Sequence, residues 1–178
     1  VLAEQHLQQR GAVHLENMIS LAPNIASSSG ASRNRFFQIR GIGERSQFVE
    51  PINPSVGVLL DGIDLSGSGG ALTLYDLQQD EILRGPQGTL MGANALAGLI
   101  ALRSTATDNA TREVTAGVEN NGGRQVGARL GGTLGNGVSG RIAVQQFQSD
   151  GFVNNRWLDR DDTNQRDELT GRAALRWQ

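Results

Sequence analysis

The sequence predicts an α+β unit over roughly its first hundred residues, followed by antiparallel strands of the kind that form transmembrane β-barrels. Three observations lead to this prediction. Glycine supplies 24 of the 178 residues, about twice its average share of roughly 7%, which is typical of a turn-rich β protein. Before residue 104, helical and strand-like patterns are mixed. After residue 108, hydrophobic and polar residues alternate at every second position.

Composition argues against several classes of protein. The net charge is −2 and no basic stripe is present, so nucleic acid is not an expected partner. Cysteine is absent, which removes disulfides and thiolate chemistry. No apolar run is long enough for a transmembrane helix. We find no Ser/His/Asp set and no acid–base pair, so no enzyme is predicted. The first residues have no signal-peptide pattern, and we expect the chain to be a fragment.

The elements of the first hundred residues follow from local patterns. Residues 2–9 and 14–21 place apolar side chains at helical spacing, and Gly11 and Pro23 are plausible stops. Residues 24–32 are rich in serine, glycine and alanine and predict a loop. A helical turn is predicted at residues 72–77. Apolar runs bounded by turn residues predict strands at 36–40, 56–60, 63–65, 81–83 and 99–102.

Turn residues connect these strands. Asp61 and Gly62 separate two apolar runs and predict a two-residue hairpin. Pro86 cannot donate a ladder hydrogen bond, so the strand before it must end. The glycines of this stretch let the backbone turn at positive φ or lie close to a neighbouring surface; they are Gly85, Gly88, Gly92 and Gly98. Arg40 and Arg84 each end a predicted strand directly before a glycine.

The remaining residues predict the wall of a barrel. Strands are expected at residues 113–119, 124–134, 139–147 and 169–177. Val126 and Leu130 share one face of their strand and Arg129 lies on the other, which is the pattern of an apolar outer surface and a polar lumen. Four strands cannot close a barrel, because even small barrels need about eight.

The connections between these strands differ in length. Residues 120–123 and 135–137 form tight turns, and residues 150–167 form a long polar loop, as expected for short periplasmic turns and longer extracellular loops. Aromatic residues at strand ends or in this loop are candidates for the membrane interface: Phe147, Phe152, Trp157 and Trp177.

Three segments carry a resemblance to a known family. In chain order they are Gln38-Ile39-Arg40-Gly41-Ile42-Gly43, Val56-Gly57-Val58-Leu59-Leu60-Asp61-Gly62-Ile63, and Leu83-Arg84-Gly85-Pro86-Gln87-Gly88-Thr89-Leu90 followed by Gly92, Asn94, Ala95 and Gly98. Together they resemble the plug domain of TonB-dependent outer-membrane receptors. Met91 and Ala93 depart from the family pattern, which usually has an aromatic and a basic residue there.

The resemblance implies a domain arrangement and a function. Residues 1–108 would be an α+β plug domain, a small mixed β-sheet with short helices that lacks its N-terminal part. Residues 109–178 would be the first antiparallel strands of an incomplete transmembrane β-barrel. The implied function is energised uptake of a ferric siderophore or similar bulky nutrient across the bacterial outer membrane. The implied partners are TonB with its inner-membrane complex, a siderophore-like ligand and outer-membrane lipid, with no cofactor.

The resemblance also implies roles for single residues. Arg40 and Arg84 match two plug arginines that face carboxylates on the inner wall of the barrel, where guanidinium groups pair bidentately. Glu81 matches an acidic residue before the turn. In the outward-facing loops, Arg45, Gln47 and Ser68 are candidate ligand contacts. The alternative interpretation of each is an ordinary solvated side chain.

Other interpretations stay open at this point. The ligand could be cobalamin, heme or a glycan, or the protein could be a passive outer-membrane pore with a soluble binding module. Residues 159–167 are acidic but lack the glycine and terminal glutamate of a calcium loop, so a solvated loop is expected. His6 and His14 have no ligand pattern around them and are predicted to lie on the surface.

Overall fold

The structure, a computed structural model, describes residues 2–3, 12–20, 22–29, 34–45, 53–68, 72–92 and 94–177. The chain divides into two compact units, Val1–Thr105 and Ala106–Gln178. None of the helices in these described ranges has the length and hydropathy that a membrane crossing requires.

The first unit is built around a mixed sheet of five strands. Its elements are β1 (Leu2–Ala3), α1 (Leu15–Ser20), β2 (Ile25–Ser29), β3 (Asn34–Ile39), β4 (Val56–Leu60), β5 (Ile63–Asp64), β6 (Leu77–Arg84), α2 (Gly88–Met91) and β7 (Gly98–Ser104). The strand order in the sheet is β1-β6-β7-β4-β5, and β2 pairs with β3 in a separate hairpin. Only the β4–β7 pairing is parallel among those described.

Both faces of this sheet bury apolar side chains. The larger cluster joins the sheet to α1 and the hairpin through Leu15, Met18, Ile19, Phe37, Ile39, Val58, Ile100 and Leu102, among others. The smaller cluster, on the other face, holds Leu59, Ala95 and Leu99. Each of the larger side chains (Val, Leu, Ile, Phe or Met) contributes roughly 1.5–3 kcal/mol when fully buried. The alternation along β7 therefore splits Leu99 and Ile100 between two cores.

The predicted α+β class and most predicted elements of this unit are confirmed. The helix over residues 14–21 is α1, and the predicted strands are β3, β4, β5, β6 and β7. The loop predicted at residues 24–32 is wrong for Ile25–Ser29, which forms β2. Its serines suit a strand here because Ser27 Oγ accepts from Asn34 Nδ2 at 2.8 Å and Ser28 Oγ from Gln38 Nε2 at 3.1 Å.

Three further predictions need correction. The helical turn expected at residues 72–77 is wrong, because Leu74 donates its N–H to Val13 O at 2.9 Å and the chain then enters β6 at Leu77. Leu2–Ala3 pairs with β6 as a strand, not a helix, and residues 4–11 lie outside the described residues. His14 is buried, with 1% exposure, because residue 14 bridges Thr73. His6 lies outside the described residues.

The second unit is an antiparallel sheet of long strands. Its elements are β8 (Thr111–Val118), β9 (Arg124–Gly135), β10 (Val138–Ser149), β11 (Val153–Asn155), β12 (Arg160–Thr163) and β13 (Arg166–Trp177). The order of the four-stranded sheet is β13-β10-β9-β8, and the sheet is open at both edges. The long loop predicted at residues 150–167 contains a small hairpin, β11 with β12.

One face of this sheet is apolar and exposed, as the alternation predicts. Val114 is 78% exposed, Val118 87% and Leu134 70%. On the other face Arg129 pairs with Glu113 at 2.9 Å across β9 and β8, and Arg141 and Gln145 are buried. A water-soluble sheet would hide the apolar face, so this inverted pattern fits a wall that meets lipid.

The aromatic residues of this unit do not share one environment. Trp157, Phe152 and Trp177 are exposed, in keeping with the prediction that they meet the membrane interface. Phe147 is buried and alternates with Gln146 and Gln148, so it lies on the same face as Arg141 and Gln145. The interface prediction is therefore wrong for Phe147.

Candidate functional site: two arginine corners and a glycine-rich turn

The first arginine corner follows β3. Arg40 has φ of 54° and Gly41 has φ of 81°, and Ile39 and Ile42 on either side exchange backbone hydrogen bonds of 2.9 and 3.1 Å. This is a two-residue hairpin turn of the kind that needs positive φ at both central positions. Holding an arginine in this region costs of order 1–2 kcal/mol, and such strain concentrates at functional sites.

The Arg40 side chain is exposed beside a shallow cavity. The backbone N–H of Arg40 donates to Asn24 O at 2.8 Å, which fixes the corner against the start of β2. A cavity of about 520 Å³ is lined by Asn24, Ile25, Ala26, Arg40 and Gly41. Because its backbone is fixed, the guanidinium projects from a defined point.

The second arginine corner closes β6. Arg84 is the last residue of the strand, is exposed, and lies opposite Gly98 in the register with β7. Gly85, with φ of 109°, donates its N–H to Ala97 O at 2.9 Å, and Gln87 N–H donates to Ala95 O at 3.0 Å. The strand therefore ends before Pro86, as predicted, and the chain turns back along β7.

The two corners are linked through Gly98. A Cβ added to this residue would lie 2.6 Å from Ile39 Cδ1 and 2.4 Å from Leu83 O. Ile39 directly precedes Arg40, and Gly98 is the register partner of Arg84. The missing side chain of Gly98 thus lets the β3 corner approach the β6 corner. No carboxylate among the described residues lies within ion-pair distance of Arg40 or Arg84.

The glycine-rich turn is the segment between the second corner and β7, residues 86–97. Gly88 begins α2, and Gly92, with φ of 63°, ends it by donating its N–H to Gly88 O at 2.8 Å. Pro86 is exposed, and Ala95 is buried with φ of 60°. The stretch between the Gly-Pro turn and β7 thus contains one helical turn.

Glu81 lies on the opposite face of β6 from Arg84, because the two residues are an odd number of positions apart on a strand. Its carboxylate accepts a hydrogen bond from Gln79 Nε2. Gln79, Glu81 and Arg103 border a surface cavity of about 530 Å³. The structure therefore does not bring Glu81 and the two arginines together.

The Asp61–Gly62 hairpin is hydrogen-bonded to the end of β7, a contact that the sequence did not predict. Both residues have positive φ, 52° and 84°. The Asp61 carboxylate accepts from Ser104 N–H at 2.8 Å and from Ser104 Oγ at 2.6 Å, which fastens the turn to the end of β7.

Asp64 organises the chain that leaves this hairpin. One carboxylate oxygen accepts from Ser66 N–H at 2.9 Å and the other from Asn94 Nδ2 at 3.1 Å. Desolvation by burial is the largest single influence on the pKa of Asp64 and raises it, but the hydrogen bonds from Ser66 and Asn94 together outweigh it and hold that pKa below its ordinary value. The carboxylate therefore stays charged at neutral pH and ties β5 to the glycine-rich turn.

The candidate ligand contacts occupy two loops. Arg45 is exposed and follows Glu44, whose carboxylate accepts from Ser55 N–H at 2.9 Å and Ser55 Oγ at 2.7 Å. Ser68 is exposed, and its hydroxyl donates to Leu65 O at 3.2 Å. Gln47 lies outside the described residues.

The sequence reasoning missed the residues that shape these loops. Gly43 has φ of 146°, and a Cβ there would lie 2.2 Å from Phe37 O, so the chain folds back tightly along β3. Gln38 Nε2 donates to Glu44 O and Arg35 Nε to Gly67 O at 3.4 Å. The glycine spacing in Gly41-Ile42-Gly43 was the available signal. No group of metal-ligating side chains is found in the part of the chain that the structure describes.

Comparison with known proteins agrees with this geometry. The family model of the TonB-dependent receptor plug domain matches residues 1–99. The pesticin receptor of Yersinia pestis is 26% identical over 99% of this chain and 26% of its own length. The vitamin B12 transporter BtuB of Vibrio vulnificus is 23% identical over 65% of this chain and 19% of its own length.

Solved structures share the fold. The ferric yersiniabactin uptake receptor FyuA of Yersinia pestis aligns with a TM-score of 0.81 and 24% identity, covering 98% of this chain and 28% of that one. The Pseudomonas aeruginosa receptor FpvA, bound to a heterologous pyoverdine, aligns with a TM-score of 0.69 and 19% identity, covering 86% of this chain and 20% of that one.

These relatives are receptors and transporters, and the chain spans about a quarter of the length of the pesticin receptors that it matches. The plug match covers more than half of the chain, and it coincides with the arginine corners and the glycine-rich turn. The chain therefore belongs to the TonB-dependent receptor family of the bacterial outer membrane, with siderophore receptors among its structural neighbours.

Proposed function

We propose that the protein to which this chain belongs takes up a ferric siderophore, or a similarly bulky nutrient, across the outer membrane with energy from TonB. Residues 1–108 serve as the plug that closes the pore and senses ligand. Residues 109–178 supply the first strands of the surrounding barrel. The observation that carries the proposal is the combination of a plug-family unit with a sheet whose apolar face, including Val114 and Val118, is exposed.

The arginine corners supply the contact with the wall. Arg40 and Arg84 project from backbones fixed by hydrogen bonds, and carboxylates on the inner wall would pair with them in a restricted space. Glu81, on the other face of the sheet, would meet a different partner. Arg45, Gln47 and Ser68 would contact ligand from the outward loops.

The ligand class follows from relatives. FyuA is described as a ferric yersiniabactin receptor and FpvA as bound to a pyoverdine, which favours a ferric siderophore. The vitamin B12 transporter favours a second candidate, a cobalamin, although it matches less of the chain. Heme and glycan receptors differ in ligand but share the mechanism. A passive pore would need no TonB.

Uptake by a host strain with and without the gene tests the proposal. Cells would be given ⁵⁵Fe-labelled ferric yersiniabactin, ferripyoverdine or ferric alcaligin, or ⁵⁷Co-labelled cobalamin. We expect uptake of one ferric siderophore to be lost on deletion and restored by the gene on a plasmid. The control is the same panel in a strain that lacks TonB, where uptake is also expected to be lost.

The other outcomes of this experiment are equally clear. Restored uptake of cobalamin alone would contradict the siderophore assignment and support the second candidate. Gene-dependent uptake that persists without TonB would contradict energised transport and support a passive pore.

A further inference from the structure

The segment that precedes the first wall strand is attached to that wall at several points. Residues 106–110 form a turn in which Asn109 N–H donates to Ala106 O at 3.2 Å. Thr107 O accepts from Gly132 N–H of β9 at 3.1 Å. The Thr107 and Ser139 hydroxyls are hydrogen-bonded at 2.7 Å, and Ser139 belongs to β10. The segment is therefore bound to two different wall strands.

A buried arginine adds a charged attachment. Arg141, also on β10, is only 7% exposed. Its Nη1 donates to Asn109 O at 3.3 Å and to Thr111 Oγ1 at 3.2 Å. A hydrogen bond from a charged donor is stronger than a neutral one, and burial increases what is lost when it breaks.

Gly131 makes room for this arrangement. A Cβ on this residue would lie 2.7 Å from Arg141 Nη1 and 3.2 Å from Asn109 O. Both atoms belong to the same hydrogen bond. The glycine therefore lets the guanidinium and the segment meet over β9, and any side chain there would push them apart.

We propose that residues 106–110 are a fixed anchor, held to the wall by Arg141, Ser139 and Gly132, against which the plug moves when it opens. The inference rests on the proposed function in that it takes the first unit to be the moving plug. Arg141 is then a positioning residue. Residues 106–110, which belong to the second unit, stay attached to the wall while the first unit rearranges.

Hydrogen exchange in the complete receptor, in outer-membrane vesicles over a series of low urea concentrations, tests this anchor. The informative amides are those of Gly132 and Asn109, compared with the β6–β7 ladder of the first unit. In the wild type, we expect the ladder to exchange first while Gly132 and Asn109 stay protected. In Arg141→Gln, protection of these two amides should fall about tenfold, and they should exchange together with the β6–β7 ladder.

Matched variants separate anchoring from general damage. Arg129→Gln removes the ion pair with Glu113 on the same face of the wall, away from the segment, and should leave both amides protected. Gly131→Ala and Thr107→Val should each lower protection as Arg141→Gln does, which covers the case in which the arginine variant does not fold.

The proposal is overturned if Gly132 and Asn109 exchange together with the ladder in the wild type. It is also overturned if the Arg141, Gly131 and Thr107 variants leave their protection unchanged. No ligand is needed for this measurement, so a receptor that fails the uptake experiment still gives a decisive result here.

Discussion

In the Gly98→Ala variant, the free energy of unfolding of the first unit is expected to fall by about 3 kcal/mol or more. Gly98 has φ of 159°, and its added Cβ would lie 2.4 Å from Leu83 O and 2.6 Å from Ile39 Cδ1. The carbonyl belongs to the β6–β7 ladder and cannot move without breaking it. The variant therefore separates the two arginine corners or opens the sheet.

Pulse proteolysis of the complete receptor across a urea series measures this change through cleavage within the first unit. Gly88→Ala is the matched control, because Gly88 lies in the segment that leads into Gly98, an added Cβ would meet nothing within 4 Å, and the residue belongs to a helix. We expect little change or slight stabilisation for Gly88→Ala. Equal urea midpoints for the two variants would contradict the packing described for Gly98.

Arg84→Gln is expected to make the complete receptor leak. If Arg84 pairs with a wall carboxylate in a restricted space, removing its charge leaves that carboxylate without its partner, at a cost of ~3–5 kcal/mol. A loss of about 3 kcal/mol would raise the population of a displaced plug on the order of a hundredfold. The measurement is conductance of the purified receptor in a planar bilayer, together with sensitivity of cells to vancomycin.

Arg103→Gln provides the control for this experiment. Arg103 is another exposed arginine of the same sheet, on β7, and the family resemblance gives it no role at the wall. We expect its conductance to match that of the wild type. If the conductance of Arg84→Gln is no higher than that of Arg103→Gln, then Arg84 is an ordinary surface residue and the proposed contact with the wall is contradicted.

Much of the fold could be read from the sequence because its signals are local. The period-2 alternation predicted β8, β9, β10 and β13, and the Asp61–Gly62 pair predicted the hairpin between β4 and β5. In the same way, Pro86 correctly marked the end of β6. Each of these depends on backbone geometry or on which face of a strand is apolar.

The errors have a common physical cause, which is tertiary pairing. The serines of β2 predict a loop by composition, and pairing with β3, supported by side-chain hydrogen bonds to Asn34 and Gln38, makes a strand favourable instead. His14 read as a surface residue, and its burial depends on Thr73, far along the chain. The close approach of Gly98 to Ile39, which links the two corners, likewise joins distant parts of the chain and has no local sequence signal.

The proposed site could be predicted only as far as single residues and their turns. Family resemblance selected Arg40 and Arg84, and the structure gives both an exposed side chain at a fixed corner. The fastening of Asp61 to Ser104 and of Glu44 to Ser55 joins distant parts of the chain. No local pattern encodes such contacts, so these supports were missed.

The central claim is that the second unit is a membrane wall whose apolar face meets lipid and whose polar face looks inward. Spin labels placed singly at residues 142, 143, 144 and 145 of the complete receptor in bilayers test it most directly. Ile142 and Val144 are half exposed, at 50% and 41%, whereas Ala143 and Gln145 are buried. We predict high accessibility to dissolved oxygen at 142 and 144 and low accessibility at 143 and 145. Loss of this alternation, or ready access of a water-soluble nickel chelate to 142 and 144, would contradict the account.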